Sequence, residues 1–215
     1  MIINRSAKLA IREYLTPQGK NPFREWLKAF DVGVQARIQA RVLRFENGNL
    51  GDHKNVGGGV WEARLDFGPG YRLYFGKPGV AVILLLAGGD KGSQSKDIAA
   101  AKHYWKDYRE LNMARRSKDW NVGLAQDLHD PNFAREFLLA AIEEGVSIQI
   151  ALGKVIRAIG IKEFSARIKI ASPNILRAIN PRHNPTQETL NRLLKPFKLK
   201  LSLAPIEQPK SRHAA

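Results

Sequence analysis

The sequence predicts two domains of different class: an N-terminal α+β domain with two helices on a small antiparallel sheet, then a C-terminal all-α bundle. Three observations predict it. Apolar residues alternate with polar ones from Val60 to Phe67, and they run continuously from Val80 to Ala87. After Ser95 they recur only at helical spacing. The domains are expected at 1–112 and 119–205, with a linker at 113–118 and a polar tail at 206–215.

The elements follow in order. Lys8 to Leu15 reads as an initial strand. Pro22 to Phe30 has helical spacing, with Phe23, Trp26, Leu27 and Phe30 on one face, and Val34 to Phe45 repeats it with Ile38, Val42 and Phe45. Asn47-Gly48 ends that pair, and His53 to Gly59 reads as a loop. Val60 to Phe67 is a half-buried strand with Trp61, Ala63, Leu65 and Phe67 opposite Glu62, Arg64 and Asp66. Gly68-Pro69-Gly70 turns the chain into a second strand, Tyr71 to Phe75. Lys77-Pro78-Gly79 then turns it into the central strand, Val80 to Ala87. Ile98 to Leu111 is a helix that carries the chain out of the first domain, and Met113 to Lys118 is the linker. No later strand is expected. Helices are expected at Phe133–Glu144, Ile148–Ile159, Lys162–Ile168, Pro173–Asn180 and Gln187–Phe197, with Ser172 and Thr186 as N-caps.

Composition narrows the function classes. The chain has 215 residues and no cysteine, which excludes disulfides and thiolate metal sites. Its N-terminus is too polar for a signal peptide, and no apolar run approaches a membrane span, so a soluble cytoplasmic protein is expected. Lys and Arg number 35 against 20 Asp and Glu, net +15, a field that attracts polyanions. The charge is uneven. Residues 1–105 carry 16 basic and 9 acidic side chains (+7), 106–150 carry 6 and 8 (−2), and 151–215 carry 13 and 3 (+10). Two basic blocks flanking an acidic one suggest two polyanion-binding surfaces, against the plainer reading of a basic, solvated exterior.

In the first block, pairing across the short turn places Glu62, Arg64, Arg72 and Tyr74 on one sheet face. Lys54 and His53 precede the sheet beside Gly57-Gly58-Gly59, and Lys91 follows it in Gly88-Gly89-Asp90-Lys91-Gly92. Glycine loops beside cations suit a phosphate, although charges on a strand's outer face are more often merely solvated. In the second block, Lys162–Ile168, a short turn and Ser172–Ile179 have helix-turn-helix spacing. Phe164, Ile168, Ile175 and Ile179 would lie inside. Ser172, Asn174 and Arg177 would face outward to read DNA bases, with Lys162, Lys169 and Arg182 on phosphates. The turn Ile170-Ala171-Ser172 lacks a glycine for a left-handed position.

The motifs Gly57-Gly58-Gly59-Val60-Trp61-Glu62-Ala63-Arg64, Gly68-Pro69-Gly70-Tyr71-Arg72-Leu73-Tyr74-Phe75 and Gly88-Gly89-Asp90-Lys91-Gly92-Ser93-Gln94 resemble the HigB-type toxins of the RelE superfamily, over about residues 8–105. The resemblance implies a RelE-like fold and metal-free cleavage of mRNA on the ribosome, with no cofactor. It makes Arg64 and Arg72 holders of the scissile phosphate and Lys91 a nearby cation. Lys54 is a base or an RNA contact, Glu62 an alternative base or an orienter of Arg64, and His53, Tyr74, Gln94 and Lys96 are RNA contacts. Many relatives carry Tyr or His after the last strand, where this chain has Ser93-Gln94-Ser95-Lys96-Asp97.

The segments Asp127-Leu128-His129-Asp130-Pro131, Ala151-Leu152-Gly153-Lys154-Val155-Ile156-Arg157 and Asn184-Pro185-Thr186-Gln187-Glu188-Thr189-Leu190 resemble HigA-type antitoxins of the Xre-like class, over about residues 119–204. Together the two resemblances imply a fused toxin–antitoxin chain. Its expected partners are ribosomal mRNA, operator DNA and its own other half, in cis or in trans within a homodimer, with no membrane contact. The acidic 119–150 segment is expected to cover the basic RNA face, with proteolysis near 113–118 as the release. The rival is a DNA-binding regulator whose toxin half is inert, and a third reading is a ribosome binder without cleavage.

Overall fold

A computed structural model describes residues 8–110 and 116–202. The chain forms β1 (Ala10–Tyr14), α1 (Pro22–Lys28), α2 (Val32–Glu46), β2 (His53–Gly57), β3 (Val60–Arg64), β4 (Arg72–Gly79) and β5 (Val82–Gly89). It continues with α3 (Gln94–Glu110), β6 (Ser117–Asp119), α4 (Trp120–Asp127), α5 (Pro131–Glu143), α6 (Ile148–Ile159), α7 (Ile161–Ile168), α8 (Ser172–Ala178) and α9 (Gln187–Leu194). A 3-10 turn at Lys195–Phe197 closes the helical part.

These elements correct the predicted fold class. The sheet is not small and antiparallel but six-stranded and mixed, in the order β2-β3-β4-β5-β1-β6. The β1 strand runs parallel to β5, with Ile11 opposite Ile83, and β6 pairs antiparallel on its other side. His53–Gly57, expected as a loop, is the edge strand β2, and its hairpin with β3 turns on Gly57, Gly58 and Gly59, all at positive φ. Nor is the second half a separate all-α bundle. Its first residues supply β6, where the linker was expected, and Arg12 clamps that strand by donating to Ser117 Oγ and to its carbonyl. Residues 113–115 of the expected linker and the tail at 206–215 lie outside the described residues.

One core spans both halves of the chain. Ile11, Leu73, Phe75, Ile83 and Leu85 on one sheet face join Phe23, Leu27 and the buried residues of α2. The same cluster continues into Trp120, Phe137, Leu152 and Phe164. Helix α2 is buried on more than one side, including Ala36, Ile38, Ala40, Val42, Leu43 and Phe45, as expected of a helix between two layers. Its main helical neighbour is α5. The opposite sheet face carries a smaller core, where Tyr14, Tyr74, Leu84 and Leu86 meet Ala101, Trp105 and Tyr108 of α3. Among the described residues no helix is long and apolar enough to cross a membrane.

Local chemistry sets the helix ends. Asn21, Asp31, Asp119, Asp130, Ser147 and Thr186 each accept a backbone N–H at an N-terminus. Ser172 was expected as a cap, but it is the first residue of α8, whose N-cap is Ala171 and has no side-chain bond. The turn between α7 and α8 solves its missing glycine one position earlier than anticipated, by placing Lys169 in the left-handed region at φ 54°. That conformation costs a Cβ-bearing residue about 1 kcal/mol. Lys169→Gly is therefore expected to stabilise the protein by roughly that amount, read as a higher urea midpoint.

Candidate phosphate-binding site

The β3–β4 register places Glu62 opposite Tyr74 and Arg64 opposite Arg72, and β2 adds Lys54 opposite Glu62. Period-two alternation therefore brings these five side chains to the α3-side face, as the sequence indicated for four of them. Glu62 is fully buried at their centre. Its Oε1 lies 3.6 Å from Lys54 Nζ and 3.6 Å from Arg64 Nε, and its Oε2 lies 3.7 Å from Arg72 Nε. Three cations converge on one carboxylate.

The start of α3 completes the site. Asp90 accepts from the backbone N–H groups of Gly92 and Ser93, and the Ser93 hydroxyl donates to Asp97. Gly89 leaves room for Asp97, since a Cβ there would run into its carboxylate. This network seats the first turn of α3 over the end of β5 and brings Gln94 Nε2 2.7 Å from Glu62 Oε2. Burial, with the charges of Glu62 and Asp97 behind it, raises the Tyr74 hydroxyl far above its ordinary range, so it stays protonated.

Accessibility divides the expected residues. The side chains of Lys54 and Arg64 are 49% and 47% exposed, and both are held only loosely, Arg64 also reaching Asp52 at 3.7 Å. Lys91 and Lys96 stand exposed in the β5–α3 turn and on the first turn of α3. Arg72 is almost buried and donates to the Gly70 carbonyl at 2.6 Å. Gln94 is turned inward, and Tyr74 lies beneath the layer, so neither offers its polar group to a ligand as expected. His53 faces the other way, beside Trp61 with ring centroids 5.5 Å apart, and does not join the site. Three buried polar atoms in this cluster lack a hydrogen-bond partner: Glu62 Oε1, Arg72 Nε and Tyr74 OH.

The second basic surface lies on α7–α9. Phe164, Ile175 and Ile179 are buried and Ile168 packs against them, as anticipated. Lys162, Lys169, Asn174, Arg177 and Arg182 are exposed, while Ser172 is half-buried at the start of α8. Asn174 and Arg177 line one depression with Arg192 of α9, a cation that the sequence reading did not select.

No family model matches this chain, and no solved structure does. A Haemophilus influenzae protein described as uncharacterized is 44% identical to it over 81 residues, 82% of that protein and 37% of this chain. The chain belongs to the family of that protein. Membership covers little more than a third of the chain and brings no assigned activity, so functional roles rest on the geometry.

What joins the halves was not selected from the sequence. Arg24 of α1 bridges Glu13 of β1 and Asp127 of α4, the latter at 2.9 Å, and Lys28 reaches Asp127 at 2.6 Å. Gln39 also donates to Asp127 and accepts from Trp120. Gly123 makes the bridge possible, because a Cβ there would occupy the space of the Arg24 guanidinium. Farther along α2, Glu144 sits 2.9 Å from Arg41 and 3.1 Å from Arg44. Asp127 and Glu144 of the 119–150 segment are thus paired with α1 and α2.

Proposed function

We propose that this chain is a cytoplasmic single-chain toxin–antitoxin protein, whose α3-side sheet face binds and cuts mRNA while the α7–α8 surface binds operator DNA as part of a homodimer. The observation that carries it is the convergence of half-exposed Lys54 and Arg64 on buried Glu62, at 3.6 Å each. Glu62 holds the cations in place, and their outer N–H groups face a phosphodiester. Cleavage proceeds by attack of the 2′-oxygen on the adjacent phosphorus as its proton leaves. The bond to the 5′-oxygen breaks and that oxygen takes up a proton. Arg64 and Lys54 stabilise the charge that builds on the phosphorane, and Lys91 and Lys96 extend the track for neighbouring phosphates. With Glu62 sealed below the cations, proton exchange falls to water. The helical half leaves this face open and adds bulk beside α1 and α2, so it restrains access to a crowded partner such as the ribosome more than access to free RNA.

One observation favours the rival reading, a DNA-binding regulator with an inert first half: Glu62 and Tyr74 are buried, and Ser93–Asp97 has no imidazole or phenol. Mapping new mRNA 5′ ends after expression of the intact chain, and of its Arg64→Ala, Arg72→Ala version, separates the two. New ends from the unaltered chain alone support cleavage. No new ends from either, with DNA binding intact, favour the regulator.

A further inference from the structure

The turn between β3 and β4 borders a depression of about 220 Å³, lined by Arg64, Asp66, Phe67, Gly68, Gly70 and Arg72. It opens at the end of the Glu62 face, and Arg64 belongs to both. The turn lies close on the Tyr71 ring: Gly68 has φ 58°, and a Cβ there would come within 2.6 Å of that ring. The half-buried Phe67 ring is fixed at the rim by the Arg37 guanidinium, 4.4 Å from its centroid, and by Tyr71, with 5.3 Å between ring centroids.

Arg72 is the residue that the cleavage chemistry leaves unused. Its side chain is only 9% exposed, so its charge is not simply solvated. Yet among the described residues it makes one hydrogen bond, from Nη1 to the Gly70 carbonyl. Its Nε makes none, and the Glu62 carboxylate stands off at 3.7 Å. A nearly buried guanidinium with donors to spare, beside an open depression, calls for an acceptor. Asp66 has the opposite need. Arg64 turns to Glu62 and Asp52, so the exposed Asp66 carboxylate forms no ion pair among the described residues, although two arginines line the same depression. One small space thus presents a donor fork, a carboxylate acceptor and an aromatic ring.

We propose that this depression holds a nucleobase of the RNA bound at the Glu62 face, and that it selects guanine. Guanine carries a carbonyl acceptor, O6, next to two donors, N1–H and the N2 amino group. Arg72 donates to O6 and Asp66 accepts from both donors, while the base packs against Phe67. Adenine has an amino group in place of O6 and an unprotonated nitrogen in place of N1–H, so it sets a donor against Arg72 and an acceptor against Asp66. Uracil offers one donor and a second carbonyl that faces the carboxylate. The assignment rests on the reading of that face as an RNA site and adds a base preference, which phosphate contacts alone do not carry.

Fluorescence anisotropy of the full chain with labelled UUUUUU, UUGUUU and UUAUUU tests it. UUGUUU should bind about tenfold more tightly than either of the others, the discrimination of one bidentate base contact. Asp66→Ala, at an exposed position, should bring the three to within about twofold of one another. A guanine preference that survives Asp66→Ala, or equal binding of the three by the unaltered chain, would overturn the proposal and leave the RNA reading in place. Binding of none would overturn both.

Discussion

Arg24→Ala is expected to lower the stability of the whole chain by about 3 kcal/mol or more, since removing one partner from a buried ion pair leaves the other charge uncompensated. Here two charges are left. The side chains of Glu13 and Asp127 are only 2% and 8% exposed, and the Arg24 guanidinium stands between them. Asp127 retains Lys28, but among the described residues Glu13 retains only the Asn21 amide within hydrogen-bond distance. The loss should be global, because the bridge joins β1, α1 and α4 inside one continuous core. Chemical unfolding should show a single transition at lower urea, not separate melting of the C-terminal half.

The same substitution carries a pH signature. Burial raises the Glu13 pKa above its ordinary 4.5, and Arg24 opposes that rise. A carboxyl raised in the folded state stabilises fully below the unfolded value, and that contribution is lost as pH climbs through the folded value. Removing Arg24 raises the folded value further, so Glu13 costs more at neutral pH. The destabilisation by Arg24→Ala should therefore be smallest near pH 4 and grow toward pH 7, read from urea midpoints across that range. A loss independent of pH would show that Glu13 is not what Arg24 balances.

Glu62→Ala is expected to be the most damaging change on the α3-side face, at about 3 kcal/mol. It deprives Lys54, Arg64 and nearly buried Arg72 of their shared counter-charge and leaves Gln94 without its acceptor. Arg64→Ala should cost under about 1 kcal/mol, because that side chain is about half exposed and its pairs are long. The asymmetry is diagnostic. A carboxylate that serves as the anchor of a cation cluster is worth more to the fold than any one of its partners. Equal costs, measured by urea unfolding of both variants, would mean that Glu62 does not anchor the cation cluster.

The face was readable in the sequence because alternation is local. Val60 to Phe67 and Tyr71 to Phe75 state which side chains share a side, and the glycine turn between them fixes the register. The helices were readable for the same reason, through spacing and caps such as Asp130-Pro131. What escaped was non-local. The parallel pairing of β1 with β5 links residues some seventy positions apart and leaves no periodic mark. In β6, Ser117-Lys118-Asp119 is too short and polar to announce a strand. His53-Lys54-Asn55 reads as a loop because an edge strand with one solvated side need not be apolar. The inward turn of Gln94 and the burial of Tyr74 depend on how α3 lies across the sheet. The use of Asp127 and Glu144 on α1 and α2 depends on how the helical half docks. Charge counts alone do not show which cations those acids meet within the chain.

The central claim is that the cations around Glu62 remain open to RNA in the intact chain. It is tested most directly by the salt dependence of binding of a single-stranded RNA to the purified full-length protein and to its Lys54→Ala, Arg64→Ala variant. Losing two phosphate contacts should weaken binding and make the plot of log K against log salt shallower by about 1.4, at 0.7 per contact on a single strand. An unchanged affinity and slope, with both proteins folded, would contradict the account and move RNA binding, if any, to the basic surface of α7–α9.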